Sequence, residues 1–156
     1  MNAMSLVAQR QRLNYLFSKS SAFEEDPELL SHWAKYLCVL VSGYLETVLK
    51  HYFGEFTRYK SHPYVCNYAV ANLGDFMNPK MEKILQLIGT FSRDWKEELE
   101  KYVEGERKDA IDSIVANRHN IAHGRQVGLT IARMKRYFEK SIEVTDFIKL
   151  QVEKEM

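Results

Sequence analysis

From Asp26 to Tyr59 the chain holds one uninterrupted helical pattern, and that stretch limits the fold more than any other. Asp26-Pro27 opens it. The aspartate offers an acceptor at the cap, and proline takes a first-turn position where no amide donor is needed. Trp33, Leu37, Val41, Tyr44, Val48 and Tyr52 then recur at steps of three and four, and Leu40, Leu45 and Leu49 widen the stripe. A helix this long with so broad an apolar face is expected at the centre of the core, with the other elements packed on it. Gly43 interrupts it at a cost of about 1 kcal/mol against alanine, for which close helix packing is the expected reason.

The remaining segments also read as helices. A first runs from Met4 to Lys19 on Leu6, Leu13, Leu16 and Phe17, followed by a loop from Ser20 to Asp26. Ser61-His62-Pro63 breaks the chain before a short helix from Pro63 to Leu73 and a turn through Gly74. Asn78-Pro79 repeats the cap-then-proline signal and predicts a helix from Pro79 to Gly89. Ser92 caps another, Arg93 to Val103, anchored by Trp95 and Leu99 and ended by Gly105. A further helix spans Glu106 to Ala122, and a last one starts at Thr130 and runs to the C-terminus on Ile131, Met134, Phe138, Ile142, Thr145 and Ile148. Only three prolines and seven glycines punctuate the chain and β-branched runs are few, so the expected class is all-α, with 156 residues forming one domain. A chain of this size buries about 70% of its extended surface and needs neither disulfides nor metal to fold.

Several classes are set aside by composition. Cys38 lies in the apolar run Tyr36-Leu37-Cys38-Val39-Leu40-Val41 and reads as a buried free thiol; with Cys66 the only other cysteine there is no disulfide framework, which fits a reducing cytoplasm. No signal peptide is visible, and the longest apolar stretch, Tyr36 to Leu45, is broken by Ser42 and Gly43 and falls short of the ~20 residues a membrane span requires. No phosphate-binding glycine loop, serine-hydrolase elbow or paired-cysteine redox motif is present. The net charge of +1 makes no global case for nucleic acid.

Chemistry concentrates in Asn117-Arg118-His119-Asn120-Ile121-Ala122-His123-Gly124, at the end of the Glu106–Ala122 helix. Gly124 suits a left-handed helix terminator. Arginine presents a planar fork of donors that fits phosphate, and histidine moves protons near neutral pH. Ile111, Ile114, Val115, Arg118 and Ala122 share one rhythm, so Arg118 lies on or beside the buried stripe. It is either a structural arginine reaching the surface or an acid, or a functional one; Asp112, six residues back, is poorly aligned to pair with it. On a continuous helix Arg118 and His123 would point about 140° apart, so one copy grips a single phosphate with both only through a distortion or the arginine's reach. His119 and His123 share a face at the spacing of two metal ligands, but no third ligand is near, and neither metal nor cofactor is expected.

Arg118, four intervening residues and His123 resemble the R-x4-H motif of the HEPN superfamily, helical domains that include many metal-independent ribonucleases. His119 fits the polar residue that tends to follow the arginine, and Ala122-His123-Gly124 fits the motif's usual ending. The resemblance extends over most of the chain, from the long second helix to the end, and implies a HEPN-like bundle with a four-helix core and short accessory helices. It implies dimers with the cleft between protomers, so that two arginines and two histidines are pooled. It also raises Glu46, in Gly43-Tyr44-Leu45-Glu46-Thr47-Val48-Leu49, as a site residue; its own helix, flanking it with Ser42 and Lys50, makes it an ordinary solvent-facing acid. One subgroup, paired with nucleotidyltransferase antitoxins, has tyrosine two residues after the histidine. Arg125 stands there in this chain and argues against that subgroup.

The expected activity is therefore RNA cleavage by attack of the ribose 2′-hydroxyl, with Arg118 and His123 catalytic and His119, Asn120, Glu46 and Arg125 binding substrate. From Ser113 to Phe138 there is no acid, while Arg118, Arg125, Arg133, Lys135 and Arg136 all fall there; the stretch reads either as a solvated helix face or as a phosphate-attracting surface. The resemblance adds a toxin or antiviral-defence setting and an antitoxin or regulatory protein as partner. The competing expectations are a non-catalytic module of the same fold that binds a partner protein or nucleotide, and a purely structural bundle.

Overall fold

The computed structural model describes residues 3–156. The described chain forms seven α-helices: α1 (Ala3–Lys19), α2 (Pro27–Lys60), α3 (Pro63–Gly74), α4 (Met81–Phe91), α5 (Arg93–Val103), α6 (Glu106–Ala122) and α7 (Ile131–Glu153). A 3₁₀ turn, Ser20–Phe23, occupies most of the expected loop between α1 and α2. Among the described residues there is no strand.

The Asp26 carboxylate accepts the Leu29 N–H at 3.0 Å and Pro27 stands in the first turn, so α2 starts where its sequence signal lies. Its 34 residues span about 51 Å. The helices α1, α6 and α7 pack against it and α6 packs on α7, which makes the four-helix core. Leu37, Leu45, Leu49 and Phe53 of α2, Ile111 and Ile114 of α6, and Met134 and Ile148 of α7 are all sealed from solvent. Each fully buried side chain of this kind stabilises the fold by about 1.5–3 kcal/mol relative to exposure. Phe17 of α1 stacks on Phe138 of α7 at 5.2 Å. The buried Cys38 thiol donates to the Ile114 carbonyl at 3.4 Å, and burial pushes it up to about 11, so it remains a protonated donor.

The short helices are accessory. α3 packs on α2, while α4 and α5 pack on each other and on α6. Phe53 and Phe56 of α2 meet Phe91 and Trp95, closing that side of the core.

Five expectations change. α4 starts at Met81, not Pro79, because Asn78 takes a left-handed conformation (φ 53°) instead of capping. The Asp112 carboxylate of α6 supplies the missing acceptor to the Met81 N–H at 2.8 Å. α4 also continues past Gly89 to Phe91, and Ser92 both follows it and caps α5. Nothing lies within 4 Å of a side-chain carbon built at Gly43, so close helix packing is not its reason. α7 stops at Glu153, three residues before the end. Finally, Arg136 is paired with Glu106, and Lys140 bonds Glu143, which also holds Arg107 at 2.7 Å. Arg136 thus ties α7 to α6 and drops out of any free basic surface.

No helix of the described chain is long and apolar enough to cross a membrane.

Candidate functional site

The site lies where α6 ends. Gly124 adopts φ 65°, open to glycine at no steric cost, and reverses the chain. Two bonds close the turn: Gly124 N–H to the Ile121 carbonyl at 3.1 Å and Arg125 N–H to the Asn120 carbonyl at 2.9 Å. The same turn lays the Arg125 guanidinium over Asn120, donating to its Oδ1 at 3.3 Å. The local sequence therefore fixes the positions of His123, Asn120 and Arg125 together.

His119 and His123 meet as their spacing predicts, with ring centroids 4.5 Å apart at 57°, both exposed. Partial loss of hydration at the helix end depresses the proton affinity of His119 below its ordinary value, and the charges of His123, Arg125, Lys80 and Arg118 add to that. His119 is thereby biased toward the neutral imidazole.

Arg118 leaves the helix on another side. Half-buried, it donates to Asn78 Oδ1 at 3.5 Å, in the connector between α3 and α4. The Asn78 N–H in turn donates to Glu46 Oε1 at 2.9 Å. Glu46, partly exposed, is therefore bonded to the connector rather than left free in solvent. Ser42, next to it on the helix face, is 1% exposed, and Lys50 donates to the Gly74 carbonyl at 2.8 Å, so Glu46 and Lys50 both tie α2 to the connector. No hydrogen bond joins Arg118 to His123 among the described residues, in keeping with their divergence around the helix.

The charge environment separates these arginines from the five that the fold pairs with acids. Arg10, Arg58, Arg93, Arg107 and Arg136 each pair with a carboxylate. Arg118 and Arg125 instead meet neutral amide oxygens, of Asn78 and Asn120. An amide orients a guanidinium without cancelling its charge, so both cations stay available to an anion. With Lys80 close enough to act on His119, this end of α6 is a cationic surface.

Among the described residues no three or more His, Cys, Asp or Glu side chains are placed to share a metal ion, and the His119–His123 pair has no third ligand. A cleft of about 670 Å³ lies elsewhere, between α1, α2 and α7, lined by Arg10, Tyr44, Tyr52, Asp146 and Lys149 among others. It contains no residue of the motif.

Asn78 and Lys80 are absent from the residues the sequence singles out. Their one signal, Asn78-Pro79, reads equally well as a helix cap.

The RiboL-PSP-HEPN family model matches residues 6–154. The match begins on α1, ahead of the second helix from which the motif resemblance extends. No curated protein and no solved structure gives a match.

Proposed function

The chain belongs to the HEPN superfamily, as a RiboL-PSP-HEPN domain, and from that membership we propose that it is an endoribonuclease acting without a metal ion. The observation that carries this reading is the pair of carboxylate-free arginines beside two contacting histidines at one helix end. That set of groups suits a phosphodiester: cations for its charge, imidazoles for its protons.

In the proposed reaction His123 accepts the proton of the ribose 2′-hydroxyl as the 2′-oxygen attacks phosphorus. The bond from phosphorus to the 5′-oxygen breaks, and that oxygen receives a proton from a second imidazole or from water. Arg118 bears on the negative charge that builds at phosphorus, an effect worth about 10²–10³ in rate for one positioned donor. Arg125 and Asn120 hold the adjoining phosphate, and neutral His119 serves as a hydrogen-bonding contact. The products are a 2′,3′-cyclic phosphate, or its hydrolysis product, and a 5′-hydroxyl end.

Arg118 and His123 diverge within one copy, so the reading includes a homodimer in which two α6 ends face each other and pool their groups. It also includes the superfamily's toxin or defence role, restrained by an antitoxin or regulatory protein. The free thiols Cys38 and Cys66 are in keeping with a reducing cytoplasm.

The test is product analysis in EDTA. Single-stranded RNA is expected to yield 2′,3′-cyclic phosphate ends, and the same sequence with 2′-deoxyribose is expected to stay intact. Cleavage of both substrates would remove the 2′-hydroxyl from the mechanism. An inert chain that still binds a partner protein or nucleotide would make it a non-catalytic module of the same fold.

A further inference from the structure

We infer that Asn78 is a positioning residue of this site, holding Arg118 through a neutral amide that Glu46 fixes in place; its catalytic consequence rests on the ribonuclease reading above. Asn78 is the non-glycine residue with positive φ among the described residues, at 53°. Asparagine tolerates that conformation, but the turn itself needs only the backbone, and glycine would make it as well. The side chain is spent on something else: its Oδ1 receives Arg118 from across 40 residues of chain.

The connector around it is held at both ends. Lys50 of α2 grips the Gly74 carbonyl at 2.8 Å, and Asp112 of α6 grips the Met81 N–H at 2.8 Å. Between them Glu46 accepts the Asn78 N–H at 2.9 Å. Asn78 is therefore fixed relative to both α2 and α6 before it meets Arg118. Glu46 has no bond to Arg118 and acts through Asn78. The chemistry of the contact suits a site that must bind an anion. A carboxylate at this position would pair with the guanidinium and compete with phosphate, whereas the amide at 3.5 Å orients it and leaves the charge free.

The experiment compares wild type with Asn78→Gly, which keeps the turn and loses the amide, with Asn78→Asp, and with Glu46→Ala and Glu46→Gln. Mobility of the Arg118 side chain is read by ¹⁵N relaxation of its Nε–H group, and RNA cleavage is read as separate kcat and KM. In wild type the Nε–H group is expected to be ordered. In Asn78→Gly it becomes mobile, while the melting temperature stays near wild type. kcat falls about 10- to 100-fold, the range for a misplaced catalytic group, with KM little changed. Asn78→Asp keeps Arg118 ordered but weakens binding of an uncleavable 2′-deoxy oligonucleotide. Glu46→Gln, which keeps an acceptor, retains more activity than Glu46→Ala. Equal Arg118 order in wild type and Asn78→Gly overturns the inference whether or not the chain cuts RNA. Loss of order in Asn78→Gly with no cleavage by wild type upholds the positioning role and removes the ribonuclease reading instead.

Discussion

The Asp112 carboxylate accepts the Met81 N–H at 2.8 Å, so α6 caps α4 across 31 residues of chain. The Lys80 cap position makes no side-chain bond of its own, which leaves α6 to satisfy that orphan donor. The helix that carries the motif thus also fixes the start of the element leading away from Asn78 and Lys80.

Asp112→Ala is predicted to destabilise the chain by about 1 kcal/mol, the usual loss for a capping acceptor, and Asp112→Asn by less. Urea unfolding monitored by circular dichroism checks this. The loss should appear in the midpoint with the slope unchanged.

His119 gives a pH dependence whose sign follows from its depressed proton affinity. Its ordinary value is 6.5 and the folded value lies below that. The unfolded chain therefore takes up the proton first as pH falls. Stability is full above 6.5 and declines as pH drops from there to the folded value, where the loss is complete. Histidine ring resonances followed by NMR should place the His119 midpoint under 6.5, and Lys80→Ala should move it upward. A midpoint at or above 6.5 would contradict the cationic surroundings drawn for it.

Pooling of groups across a dimer predicts complementation. Arg118→Ala and His123→Ala chains, co-expressed, form mixed dimers that keep one arginine and one histidine in the shared cleft. Their mixture should cut RNA faster than either variant alone. A mixture no better than its components would locate the complete site within one copy.

The sequence made some of this legible and hid the rest for a physical reason. Gly105 and Gly124 bracket α6, and both take positive φ, so the boundaries of the motif helix follow from local backbone chemistry. The His119–His123 contact follows from helical spacing alone. Glu46 does not, because its partner is a polar connector that arrives 32 residues later and leaves no apolar pattern on α2. Asn78 hides for the same reason: its partners are Glu46 and Arg118, and its neighbour Pro79 imitates a helix start. Arg136 reads as part of a basic face until Glu106, 30 residues back, is found beside it. Nothing in the structure explains Gly43.

The most direct test of the whole account is the initial rate of single-stranded RNA cleavage in EDTA by wild type, Arg118→Ala and His123→Ala. Both residues stand at the end of α6, clear of the sealed core, so the variants should fold with unchanged circular dichroism. Losses of about 10² or more are expected for each, the scale of a general acid–base or a positioned charge. Cleavage that persists at the wild-type rate in both variants would contradict the account and place the activity at another site.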